Sequence, residues 1–145
     1  MDARTLRAAY LTDWPKCQYS QAAGRYVDAW GWQGLRRPKK REIMATEVEH
    51  IWNRHGEYSE HPSNYASVCR PLHQWKHANS VVARIAIMHF KWELAKKTGD
   101  ESHFDRQILR HIAGRDVIGW VEVKLETDVL PEWCAAKAMD LLEGF

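Results

Sequence analysis

The apolar positions of this chain change period several times, and each change marks a predicted element. Ser80 to Lys97 carries two stripes, Ile85/Met88/Trp92 and Ile87/Phe90/Leu94, which predict a helix closed by Gly99. A helix apolar on two faces is deeply buried or packs on a second subunit, so a homodimer through residues 80–97 is one expectation. Asp100 is placed to cap a following helix in which Phe104, Ile108 and Ile112 share a face and Gly114 ends it. From Val117 to Leu125 the pattern alternates, with Val121, Val123 and Leu125 opposite Glu122 and Lys124, and this predicts a half-buried strand. A last helix is expected from about Pro131, burying Trp133, Ala136 and Leu141.

Upstream the elements are shorter. Ile43 to Ile51 suits a strand, the polar stretch from Asn53 to Ser63 with Gly56 and Pro62 reads as a loop, and Tyr65 to Val68 suits a second strand. Pro71 fits an early position of the helix that follows. The first 35 or so residues are helix-compatible but interrupted by Pro15, Gly24, Gly31 and Gly34. The expected fold class is α+β: a strand–loop–strand–helix core at about 43–78 in a mainly helical single domain, with a helical extension carrying one strand at about 79–145.

Composition changes this picture little. The chain has 145 residues, 45% hydrophobic and 28% charged, which fits one globular domain and argues against wholesale disorder. No apolar run approaches the roughly 20 residues that cross a bilayer, and the first residues lack the apolar segment of a secretory signal, so a cytoplasmic location is expected. Three cysteines, Cys17, Cys69 and Cys134, without paired spacing argue against a disulfide framework. Net charge is only +2, but Arg36, Arg37, Lys39, Lys40 and Arg41 cluster around Pro38. Such a run suits contact with a phosphate backbone, or simply a solvated loop. Eight tryptophans exceed ordinary usage; some must fill the core, and exposed ones could stack on bases or line an interface.

The chemistry concentrates between Glu47 and His77. An acid–histidine pair, Glu49-His50, is followed by Asn64 and then by His73 on the candidate helix. No helical or strand period produces that series, so amphipathic packing is a poor explanation for it. Phosphodiester hydrolysis needs an activated water, stabilisation of charge on the phosphoryl oxygens and help for the leaving alkoxide. A histidine near its ordinary pKa of about 6.5 suits the first task, and a divalent cation on a carboxylate and an imidazole suits the other two.

This segment resembles the HNH endonucleases, members of the His-Me finger (ββα-metal) nucleases. A common form of that pattern runs acid or His, His, Ile, a loop, Asn and a hydrophobic residue, then a hydrophobic residue with Cys, and finally His and Lys. Glu49, His50 and Ile51 supply its start, Asn64 and Tyr65 begin the second part, Val68 and Cys69 continue it, and His73 and Lys76 close it. The resemblance implies a compact ββα-metal finger, with His50 as general base, Asn64 bracing the loop, and Glu49 and His73 as ligands of Mg²⁺, Mn²⁺ or another divalent metal such as Zn²⁺ or Ni²⁺. His77, one turn beyond His73, is a possible third ligand, and Glu47, on the strand face of Glu49, an alternative one. Lys76 and the basic run would contact DNA, double-stranded or nicked, and the activity implied is that of an endonuclease or nickase, of the kind found in phages and mobile elements.

The sequence also departs from the pattern. Cys17 is followed at the fourth position by Ser20 and Cys69 by Leu72, so a four-cysteine structural zinc is excluded by ligand count. The proline usual shortly after the His-Ile pair is replaced by Asn53, and Glu stands where Asp or His is more common. Glu49 and His50 are adjacent, so in an ideal strand they face opposite sides, and a local twist or bulge is expected to bring them to one site. The lost thiols leave a second expectation: a derived protein that binds nucleic acid or inhibits another protein without cutting.

Overall fold

The computed structural model describes residues 2–22, 44–70, 73 and 80–126. The basic run Arg36, Arg37, Lys39, Lys40 and Arg41, the candidate DNA contact Lys76, the candidate third metal ligand His77, and the expected last helix from Pro131 lie outside the described residues. Within them the chain is mixed α+β: helices surround a small antiparallel sheet of two strands.

Helix α1 (Ala3–Asp13) starts at Asp2, whose carboxylate accepts from Thr5 N at 2.8 Å, and stops before the Trp14-Pro15 pair, as the residue before a proline disfavours helix. Residues 18–22 are again helical, and Lys16 pairs with Met44 in an isolated bridge. Strands β1 (Glu47–His50) and β2 (Tyr65–Val68) pair antiparallel in the register Glu47↔Val68, Val48↔Ser67, Glu49↔Ala66 and His50↔Tyr65. All four β2 residues are buried, so this short strand lies inside the molecule and not along its edge. Between the strands runs the expected loop, ending in a 3-10 turn at Pro62–Asn64 that His61 caps. After β2 the chain turns helical: Arg70 and His73 are helical, and His73 N donates to Cys69 O at 3.0 Å.

Helix α2 (Ser80–Thr98) is the predicted long helix, and Gly99 ends it with φ +74°, a conformation that favours glycine. It lies in the core through Ala83, Ile87 and Met88, packed with Ile51, Val68, Phe104, Leu109, Ile118 and Val121, while Phe90, Trp92 and Ala95 are partly buried against them. Of the second stripe, Ile87 is in the core, Phe90 is partly buried against it, and Phe90 and Leu94 line a surface cavity.

Two expectations for the segment after α2 are corrected. Asp100 caps only a 3-10 turn, Glu101–His103, and the helix begins later, at α3 (Arg106–Ala113), with Asp105 accepting from Gln107 N and Ile108 N. The buried residue of α3 is Leu109, and Phe104 enters the core from the bend before it. The strand expected over Val117–Leu125 is instead helix α4 (Arg115–Glu126). Its valines alternate in sequence, but burial follows a helical period: Ile118 and Val121 are buried while Val117 and Val123 are exposed. Asp116 in the first turn favours a helix start, and α4 is tied to α3 by Arg110 Nη2 donating to Glu122 at 2.9 and 3.1 Å. No described residue in the C-terminal extension is therefore a strand.

Among the described residues no helix is long and apolar enough to cross a membrane.

Candidate metal and phosphodiester site

The two strands bring the predicted residues to one place. Glu49 on β1 is buried, and His73 Nδ1 lies 2.8 Å from Glu49 Oε2 and 3.8 Å from Glu47 Oε1. The strand puts Glu47 and Glu49 on the same face, and the helical turn after Cys69 carries His73 to that face. Glu49, being buried, is the carboxylate that a charged partner must compensate; Glu47 is largely exposed. The hydroxyl of buried Tyr19 faces the same carboxylate, and burial together with the charge of Glu49 pushes this phenol well above its ordinary range.

The register between Glu47 and His50 is continuous, so no bulge separates Glu49 from His50. Both nevertheless line one cavity of about 590 Å³, together with Glu47, Glu60, His73 and the guanidinium-bearing residues Arg7, Arg54 and Arg84. Carboxylates, imidazoles and arginines in one concave site match what a phosphodiester and a divalent cation each require.

On the other side of β1, His50 Nε2 makes two contacts of 2.9 Å to the Glu60 carboxylate. Glu60 also accepts from Tyr65 Oη at 2.8 Å and from Arg7 of α1. Burial alone raises the Glu60 pKa, but the hydrogen bonds from His50 and Tyr65 outweigh it and hold the carboxyl below its ordinary value. The Tyr65 phenol is pushed up by burial and by Glu60, so it stays a donor. The His50 and Tyr65 rings meet edge-on, with centroids 5.9 Å apart, as cross-strand partners.

Asn64 is fully buried, and its amide is spent on the loop backbone. Oδ1 accepts from Trp52 N at 2.9 Å, and Nδ2 donates to Asn53 O at 2.8 Å and Ser59 O at 2.9 Å. Its own carbonyl accepts from Ile51 N at 2.8 Å. Asn64 therefore clamps both ends of the loop that follows His50 and makes no described side-chain contact with His50 itself.

Several residues that hold the site carried no signal in the sequence. Lys91 of α2 is fully buried, and its ammonium donates to Tyr65 O at 2.6 Å, to Pro62 O and to Tyr10 Oη at 3.3 Å, pinning the turn around Asn64. Burial pushes its pKa down to about 7. Ser63 Oγ donates to Ser102 O at 2.9 Å and accepts from Asp105 N at 2.8 Å, joining the same turn to the start of α3. Arg84 Nε donates to Ile51 O at 3.1 Å. Glu60 is a loop carboxylate with no periodic neighbour, and Arg7 reaches it from 53 positions away. Only spatial proximity could have found either.

The two loop histidines sit in different environments. His61 is half-buried, accepts from Ser63 N at 3.1 Å, and is held below its ordinary pKa by burial; His55 is exposed at the cavity. The remaining thiols of the degenerate cysteine pairs meet in the core: Cys69 N donates to Cys17 Sγ at 3.2 Å, and Ser20 N donates to the same sulfur at 3.4 Å. Neither forms a disulfide, and the hydrogen bond with the Cys69 thiol, together with burial, raises the Cys17 pKa far above its ordinary value.

Glu49 and His73 are residue types that could hold a divalent cation. His73 Nδ1 and Glu49 Oε2 stand at hydrogen-bond distance, 2.8 Å, and pair directly. Among the described residues no group of three or more His, Cys, Asp or Glu side chains is placed to hold a metal.

No family model matches the chain, and no curated protein and no solved structure matches it significantly.

Proposed function

We propose that this chain is a metal-dependent endonuclease or nickase of the HNH type, hydrolysing DNA phosphodiester bonds on a ββα-metal finger. The observation that carries the reading is that Glu49, His50 and His73 line one cavity while Asn64 clamps the connecting loop. A pure binding protein has no chemical need for that set. Glu49 and His73 would hold Mg²⁺, Mn²⁺ or a related cation, which when bound supplies charge stabilisation at the phosphoryl and leaving oxygens. His50 accepts the proton of the attacking water. Arg7, Arg54 and Arg84 supply positive charge within reach of a phosphate in the cavity, whatever the basic run adds. DNA as the substrate follows the sequence resemblance.

Plasmid cleavage in Mg²⁺, Mn²⁺, Ni²⁺ and Zn²⁺, beside His50→Ala, tests the reading. Cleavage that needs metal and disappears in the variant supports it. DNA binding without cleavage in every metal would replace it with a non-cutting derivative of the same finger.

A further inference from the structure

We propose that Glu60 is the positioning residue of His50: it holds the imidazole through Nε2, fixes the ring proton there, and so makes Nδ1 the nitrogen that receives the proton of water. The inference rests on the nuclease reading for its last clause only.

Three side chains converge on one carboxylate. His50 Nε2 contacts Glu60 Oε1 and Oε2, both at 2.9 Å, Tyr65 Oη contacts Oε2 at 2.8 Å, and Arg7 contacts Oε1. An ionised carboxylate only accepts hydrogen bonds, so each of these partners must donate. The Arg7 guanidinium has donors only, and its contact with Oε1 beside the hydroxyl of Tyr65 favours the ionised form of Glu60. His50 must then carry its proton on Nε2, and a neutral imidazole with Nε2–H has its accepting lone pair on Nδ1. The ring plane is set as well. Tyr65 is the cross-strand partner of His50 and meets its ring edge-on, and the same tyrosine anchors Glu60 through its hydroxyl. A carboxylate that orients a histidine and stabilises the imidazolium formed after proton transfer is the logic of the catalytic triad. Here the carboxylate comes from the loop that Asn64 clamps, which gives that clamp a chemical consequence. Arg7 ties α1 to the arrangement, although α1 contributes no predicted site residue.

Long-range ¹H–¹⁵N correlation spectra of the full chain read the tautomer of His50 directly, with the signal assigned by comparison with His50→Gln. The wild-type ring is expected to be Nε2–H when neutral. In Glu60→Leu the signal should move to a mixture of tautomers. Glu60→Gln, which keeps an accepting oxygen without the charge, should retain Nε2–H. If Glu60→Leu fails to fold, Arg7→Gln and Tyr65→Phe loosen the carboxylate without removing it, and each should shift part of the His50 population. In cleavage assays Glu60→Leu should lose about 100-fold or more in turnover with little change in KM for DNA, and Glu60→Gln should recover part of it. A wild-type Nδ1–H tautomer, or a tautomer indifferent to Glu60→Leu and to both loosening variants, overturns the proposal. So does turnover unaffected by Glu60→Leu in an active enzyme. A tautomer that follows Glu60 in a protein that cuts nothing supports the placement of the ring and removes the nuclease reading instead.

Discussion

His73 Nδ1 stands 2.8 Å from Glu49 Oε2, joining a helical turn after β2 to the buried position of β1. The same nitrogen lies 3.8 Å from Glu47 Oε1, so the site contains a near carboxylate and a far one. Titration calorimetry with Mn²⁺ should rank them. Glu49→Gln and His73→Ala are expected to weaken binding by more than the roughly 10–100-fold that second-sphere changes cause, and Glu47→Gln by less. A larger loss in Glu47→Gln would transfer the ligand role to that residue.

Asn64→Ala should destabilise the fold by about 3 kcal/mol, because Trp52 N, Asn53 O and Ser59 O all lose a partner inside the protein. The loss belongs to the loop, so hydrogen exchange should rise first between β1 and β2. Equal protection in wild type and variant, measured in urea-free buffer, would count against the clamp.

Lys91 makes stability depend on pH in a definite direction. Its folded-state pKa, near 7, lies below the 10.5 of the unfolded chain, so between these values the unfolded state binds more protons. Stability attributed to this group is therefore greatest above the upper value and is lost as pH falls through the lower one. Denaturant unfolding between pH 7 and 8.5 should show stability rising by about 1 kcal/mol per pH unit. That window lies above the titration of His61 and His103, both lowered by burial, and below that of the tyrosines. Lys91→Met should abolish the slope. A slope that survives the substitution assigns it to another group.

Cys17 and Cys69 should resist alkylation in the native state at pH 8, because both are buried and the Cys17 thiol is held protonated. Mass spectrometry after iodoacetamide treatment should find them modified only on the timescale of unfolding. Rapid modification of either in folded protein would contradict the packing of the two sulfurs.

Sequence alone determined the local elements whose causes are local. A proline after Trp14, a glycine after Thr98 and the Tyr65–Val68 segment act within a few residues, and the elements fall near those signals, although the first strand is shorter than expected, Glu47–His50 within 43–51. It also named the site candidates Glu49, His50, Asn64 and His73, since chemistry restricts which residue types can serve. The valines of Val117–Leu125 deceived it because a short alternating run also satisfies one face of a helix, and only packing against α3 chooses between the two. Tertiary structure alone decided the partners. Glu60 to His50, Arg7 to Glu60, and Lys91 to the carbonyls of Pro62 and Tyr65 are contacts between residues 10 to 53 positions apart. Burial in a shared interior obliges such polar groups to find one another, and no linear pattern records which ones meet.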